Sequence, residues 1–302
     1  MKRSEAESRS MPGAFALIVV AYVTALCVAV GVGYAAGERH PVLVAFVADV
    51  AGTLVIYGFS RAFRNASFYD PYWSVAPIAI ALYFAVGVAS ADVNVTRQAV
   101  VFALVCAWGL RLTYNWARGW RGLGHEDWRY AKLRRESKGS FWLVELSGIE
   151  MMPTTFVFLG CLSLYPALAV GSSPFGVLDW FAIVVTAGAI IIETAADRQL
   201  RDFVAAGPQP GEIMKSGLWT FSRHPNYFGE ITFWWGLFMF AMAADSSYWW
   251  TFAGPLAITA LFVGVSIPLM DKRNLERRPG YDEHMKSISA LIPWFPRKPK
   301  TS

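Results

Sequence analysis

The sequence predicts an all-α, polytopic integral membrane helical bundle of about 7-8 transmembrane helices with both termini cytoplasmic. Three observations carry this expectation. Of the 302 residues, 55% are hydrophobic and 15% aromatic while only 16% are charged, far from the balance of a soluble domain. Apolar stretches long enough to span fall near residues 14–36, 42–59, 74–90, 98–116, 150–170, 177–196, 226–244 and 251–270. All but Arg39, Arg97 and Arg111 of the 27 Lys and Arg residues lie in alternate connections, which the positive-inside rule places in the cytoplasm. Topology therefore accounts for the net charge of +5, and no nucleic-acid partner is needed to explain it.

The chain opens with a polar tail, residues 1–13, followed by transmembrane helices over 14–54. The first apolar run exceeds a signal-peptide core, so it reads as an anchor, and it holds no ionisable group. Cys27, Cys106 and Cys161 each fall in an apolar segment without metal-ligand spacing, which points to packing and to no disulfide framework. The second span carries Asp49 and leads through Arg61 and Arg64 into Asn65-Ala66-Ser67-Phe68-Tyr69-Asp70-Pro71-Tyr72-Trp73. The aromatics there suit an interface belt, whereas Asp70 and Asn65 are candidates to dip into a site.

Arg111, Asn115 and Arg118 share one face near the end of the fourth span, beside Tyr114. Snorkelling explains such residues, but clustered guanidiniums also suit phosphates. The longest basic connection alternates acids, aromatics and bases through Glu126-Asp127-Trp128-Arg129-Tyr130, either as a solvated charge run or as a lid on a cofactor. Glu145 and Glu150 flank the start of the fifth span, where Pro153 begins or kinks the helix. Glu193, Asp197 and Arg201 follow at four-residue steps on the sixth span, and a carboxylate as deep as Glu193 calls for a polar partner such as a nucleotide amide or ribose hydroxyl.

The strongest signal is Ser222-Arg223-His224-Pro225-Asn226-Tyr227-Phe228-Gly229-Glu230, running into Trp234-Trp235-Gly236. Pro225 suits a first helical turn, so a helix starts at His224 or Pro225 and runs to about Ala243. A helix N-terminus beside Arg223 and His224 is a ready anion site. Asn226, Tyr227, Glu230 and Trp234 recur at spacings of three and four and share a face. A carboxylate at membrane depth is costly unless paired or facing a cavity, which marks Glu230 as a site candidate over a mere interhelical tie. The C-terminal stretch, Asp271 through Tyr281 and His284 to Trp294, lies along the interface, with a basic tail at 297–302 and no His or Cys pairing that supports a metal.

In combination these blocks resemble the steroid 5-alpha-reductase-like integral membrane reductases, in their poorly characterised bacterial branch. The resemblance rests on Arg64 to Trp73, on Arg111-Leu112 with Glu126 to Tyr130, on Ser222 to Glu230 with Trp234-Trp235-Gly236, and on Tyr281 with Ala290-Leu291-Ile292-Pro293-Trp294. It makes residues 55–296 a membrane catalytic domain that holds NADPH in a cavity facing the cytoplasm. The implied reaction reduces a carbon–carbon double bond conjugated to a carbonyl in a lipophilic, steroid- or isoprenoid-like substrate. Asn226 and Trp234 match cofactor-lining positions, Glu230 a carboxylate near substrate and nicotinamide, and Asp197 an aspartate on the nucleotide. Glu193 stands where the steroid enzymes have Asn, and Asp70 matches a substrate-binding Glu. The cofactor set becomes Arg118, Arg129, Glu193, Asp197, Arg201, Arg223, His224, Asn226, Trp234 and Tyr281. Trp108 replaces the tyrosine that polarises the ketone, and Tyr114 or Tyr227 is the candidate substitute hydroxyl. Glu230 either donates to the developing oxyanion or orients a tyrosine that does.

Two other classes compete. Arg223-His224-Pro225-x-Tyr227-x-Gly229, with Asp271, Leu275 and Tyr281, is similar to membrane methyltransferases such as isoprenylcysteine carboxyl methyltransferase, which use S-adenosylmethionine. A transporter or scaffold would use Asp49, Glu150, Glu193 and Glu230 as a polar pathway, but no inverted repeat supports it.

Overall fold

The structure, a computed structural model, describes residues 11–297, and the polar N-terminal tail and basic C-terminal tail expected before and after these lie outside the described residues. Among the described residues the chain is helical, with one parallel bridge pairing Ser222 with Ser289. It divides after Gly171 into two compact units.

The first unit holds α1 (Met11–Ala36), α2 (Pro41–Phe63), α3 (Tyr72–Leu82), α4 (Val95–Gly119), the short α5 (Trp128–Glu136) and α6 (Phe141–Val170). Local chemistry sets these limits. Gly37, at φ 66°, ends α1 in the left-handed conformation, and His40 caps α2 by accepting from the Val42 N–H ahead of Pro41. Asn94 and Asp127 cap α4 and α5 through the N–H groups of Arg97 and Arg129. Arg64 closes α2 at φ 55°, the lone non-glycine with positive φ among the described residues. The apolar core of this unit gathers Ala14, Ile18 and Ala21 of α1 with Ile56, Phe68, Tyr69, Tyr72 and Trp120.

The second unit holds α7 (Val177–Ala205), α8 (Pro225–Ala244), α9 (Ser246–Arg277) and α10 (Tyr281–Ser287). Two glycines let α7 and α8 touch. A Cβ on Gly229 would stand 2.7 Å from Glu193 Cβ and 2.9 Å from the Ala189 carbonyl, and one on Gly236 would collide with the Thr186 hydroxyl. Close backbone approach at small residues is how membrane helices gain packing contact without a hydrophobic drive.

Among the described residues, six helices are long and apolar enough to cross a membrane: α1, α2, α4, α6, α7 and α9. Outward-facing Val19, Val20 and Val23 on α1 and Trp180, Phe181 and Val184 on α7 give lipid its contact, so the chain is an integral membrane protein. Two expected spans fall short of that standard. The stretch near 74–90 is an 11-residue helix followed by a five-residue π turn, and α8 carries Asn226, Tyr227 and Glu230 in its first turns. The expected fifth span begins at Phe141 rather than near 150, because a π turn over Glu145–Met151 carries the helix past Pro153. A wider i→i+5 turn relieves the clash and the missing N–H that proline brings. The same device, Phe262–Ser266, precedes Pro268 in α9.

Candidate functional site

The second unit contains a cavity of about 110 Å³ at the head of α8, walled by Leu200, Met214, Trp219, His224, Asn226, Tyr227, Met270, Asn274, Arg278, Tyr281 and His284. Three residues at the cavity, Arg223, His224 and Tyr281, converge on one carboxylate. Asp271 of α9 is buried and accepts hydrogen bonds from Arg223 Nη2 at 2.7 Å and Nε at 3.3 Å, and from the Tyr281 hydroxyl at 2.7 Å. His224 Nε2 sits 3.1 Å from the same carboxylate. Arg223 also donates to the carbonyls of Ile288 (2.7 Å) and Met285 (3.3 Å). The guanidinium is thus turned into the protein, where the sequence suggested an anion anchor.

Backbone pairing completes this knot. The Arg223 N–H donates to Ser289 O, the Ser222 hydroxyl to Leu291 O, and the Trp294 N–H to Phe221 O. The C-terminal segment is therefore pinned along the residues that precede α8. His224 occupies the cap position of α8, and its ring stacks on Tyr227 at 5.1 Å with planes 6° apart.

Two features of the cavity wall invite a ligand. Asn226 Oδ1 is buried and accepts no hydrogen bond among the described residues. A buried acceptor left unmatched is destabilising, and a donor on a bound molecule would satisfy it. His284 is pulled down to about 4 by burial first and then by the cations Lys215, Arg223 and Arg278. This leaves its imidazole neutral at pH 7 in a positively charged setting.

Further along α8, Glu230 is buried and accepts from Trp234 Nε1 at 2.8 Å, so the two residues expected on one face do meet. Glu193 of α7 is buried across the seam at Gly229. Asp197 and Arg201 lie one and two turns beyond it, partly exposed. The structure therefore gathers Arg223, His224, Asn226, Tyr227 and Tyr281 around the cavity, pairs Glu230 with Trp234 further along α8, and sets Glu193 at the α7–α8 seam.

The remaining expected residues belong to the first unit. Tyr114 is 60% exposed, with the Arg118 guanidinium 5.2 Å from its ring centre. Asp70 accepts from the Tyr130 hydroxyl at 2.8 Å, while Arg129 pairs with Asp127 at 2.8 Å. Burial pushes the Asp70 carboxyl up to about 6, against the hydrogen bonds from Tyr130 and Ser67 and the charge of Arg129. Trp108, fully buried, packs edge-on against Trp73.

The two sequence blocks that frame Asp70 prove to be stitched together. Asn65 Nδ2 donates to Leu123 O (2.8 Å) and His125 O (3.0 Å), Glu126 accepts from the Ala66 N–H (3.0 Å), and Arg134 pairs with Glu126 at 2.6 Å. Sequence reasoning missed this docking and the hub role of Asp271. The available signals were Asn65 ahead of a short helical turn and an aspartate at the end of an apolar helix, and neither names its partner.

A protein-family model described as "Protein of unknown function (DUF1295)" matches residues 56–288. The chain is 26% identical over 261 residues to Uncharacterized protein C594.04c of Schizosaccharomyces pombe, covering 79% of this chain and 76% of that protein. No solved structure matches.

Proposed function

The chain belongs to the DUF1295 family, and from that premise we propose that it is an NADPH-dependent membrane reductase of a carbon–carbon double bond conjugated to a carbonyl in a lipophilic substrate. The observation that carries the reading is the cavity at the head of α8, where Asn226 presents a buried acceptor without a donor beside an electropositive wall. The likeness of the Ser222 to Trp234 stretch to steroid 5-alpha-reductase-like enzymes supplies the reaction class.

The residues present fit one end of such a cofactor. Asn226 suits a carboxamide or ribose hydroxyl donor, and Arg278 on the wall with Lys215 close to His284 suits a phosphate. Bound NADPH would supply the hydride. The chain's own part is to hold that group in place and to stabilise the charge that collects on the substrate carbonyl. Trp234 holds the buried Glu230 carboxyl by donating to it, which supports Glu230 as the acid, or as the group that orients one.

The direct test is NADPH oxidation by the detergent-purified protein with a panel of lipophilic enones. Turnover that falls at least about tenfold in Asn226→Ala and Glu230→Gln supports the reading; absence of NADPH consumption with any enone speaks against it. One observation favours a second reading. Asp271 and Tyr281 close on Arg223-His224, the same residues that resemble S-adenosylmethionine-dependent membrane methyltransferases. Methyl transfer from that donor to a lipid carboxylate or amine, in place of enone reduction, would select it.

A further inference from the structure

The first unit contains a file of buried polar side chains for which the proposed chemistry has no role. On α2, Asp49, Thr53 and Ser60 are 6%, 0% and 0% exposed and recur on one face; next to Ser60, Arg61 is 44% exposed at the end of the helix. Facing them on α6 are Glu145 and Glu150, both 0% exposed, and Thr154 at 2%. At 3.6 residues per turn, positions five apart would point about 140° away from each other. The π turn over Glu145–Met151, with its i→i+5 bonding, instead brings Glu145 and Glu150 toward one side.

Hydrogen bonds join the inner half of the file. The Tyr72 hydroxyl donates to Asp49 Oδ1 at 3.0 Å and stands beside Thr53. Thr53 Oγ1 lies 2.9 Å from Thr154 Oγ1, which in turn lies 2.8 Å from the Tyr69 hydroxyl. At the outer end Arg61 Nη1 donates to Glu145 Oε2 at 3.1 Å, with Arg134 and Glu126 also acting on Glu145. Glu150 sits between the two halves, one turn before Thr154 and beside Ser60. Neither of its oxygens makes a hydrogen bond among the described residues, and neither do Glu145 Oε1 and Ser60 Oγ. Carboxyl groups inside a membrane helix pair, and this arrangement is otherwise typical of proton relays.

We propose that these side chains form a proton path from the Arg61–Glu145 pair inward to Asp49, about 18 Å along α2. A proton taken up at Glu145 passes to Glu150, whose carboxyl is free to turn toward Thr154. Thr154 accepts it and gives its own hydroxyl proton to Thr53, which passes one on to Tyr72 and so to Asp49. Each hydroxyl releases one proton for the one it accepts, so only the carboxyl groups at the two ends change charge. The path lies within the first unit, and it does not depend on the reductase reading.

The test is infrared hydrogen–deuterium exchange on the full-length protein in detergent, with the Asp49 and Glu150 carboxyl bands assigned by Asp49→Asn and Glu150→Gln. The Asp49 band is expected to shift on transfer to D₂O and to do so severalfold more slowly in Glu150→Gln and in Thr154→Val, while Thr154→Ser keeps the parent rate. A merely structural role predicts the reverse, since loosening the packing admits water and speeds exchange. An Asp49 band that never exchanges in the parent, or exchanges as fast in both variants, overturns the path. Should Thr154→Val fail to fold, Glu150→Gln decides alone. No substrate is present in the measurement, so its failure is separate from failure of the reductase reading.

Discussion

At the scale of single residues, Asp271 decides whether the head of α8 keeps its shape. It neutralises a buried guanidinium while accepting from a phenol and lying against an imidazole, so its removal strands Arg223 without a counter-charge. Asp271→Ala is expected to destabilise the protein by about 3 kcal/mol, and Tyr281→Phe by about 1 kcal/mol, in reversible denaturant unfolding. Two titrating groups outside the spans predict opposite pH responses. Asp70 rises to about 6 in the fold, so the native state holds a proton that the unfolded chain has released, and stability declines as pH climbs from about 4 to 6. His284 falls to about 4, so the unfolded chain holds the extra proton and stability increases as pH climbs from about 4 to 6.5. The parent curve mixes the two. Asp70→Asn should therefore steepen the rise of the thermal midpoint with pH across this window, by about 1 to 2 kcal/mol in all, and His284→Gln should remove the rise.

At the scale of elements, the α7–α8 seam depends on Gly229 and Gly236. Gly236→Ala forces a methyl group against Thr186, whose Cα would lie 3.1 Å away, and Gly229→Ala one against the Ala189 carbonyl. Each is expected to cost about 1 to 3 kcal/mol, whereas Gly188→Ala, which meets nothing within 4 Å, should be neutral or slightly stabilising by thermal unfolding. Helix α8 itself was legible from residue types, because Pro225 suits a first helical turn and a long apolar run follows it. The shared face of Glu230 and Trp234 was legible for the same reason, being local. The seam glycines were not, since a glycine in an apolar helix says nothing about which neighbour approaches it. Nor was the early start of α6, because sequence periodicity assumes 3.6 residues per turn and a π turn breaks it.

At the scale of the molecule, composition and the spacing of apolar runs sufficed for an integral membrane helical protein, and six of the runs are helices able to span. What stayed hidden is long-range pairing: Arg223 with an aspartate 48 residues on, and Asn65 with carbonyls about 60 residues away. Those contacts arise only after helices pack, and one sequence does not carry them. They also explain why the motifs that resemble an enzyme family are partly structural. Arg223 and Asn65 hold chain segments together, while Asn226 lines the cavity with a buried acceptor unmatched among the described residues and Glu230 is held by Trp234.

The cavity at the head of α8 is proposed to serve NADPH. The most direct measurement is to purify the protein in mild detergent, denature it, and identify the released small molecules by mass spectrometry, with Asn226→Ala as the comparison. NADP(H) is expected from the parent and much less from the variant. Release of S-adenosylmethionine or its demethylated product, in place of NADP(H), would contradict it.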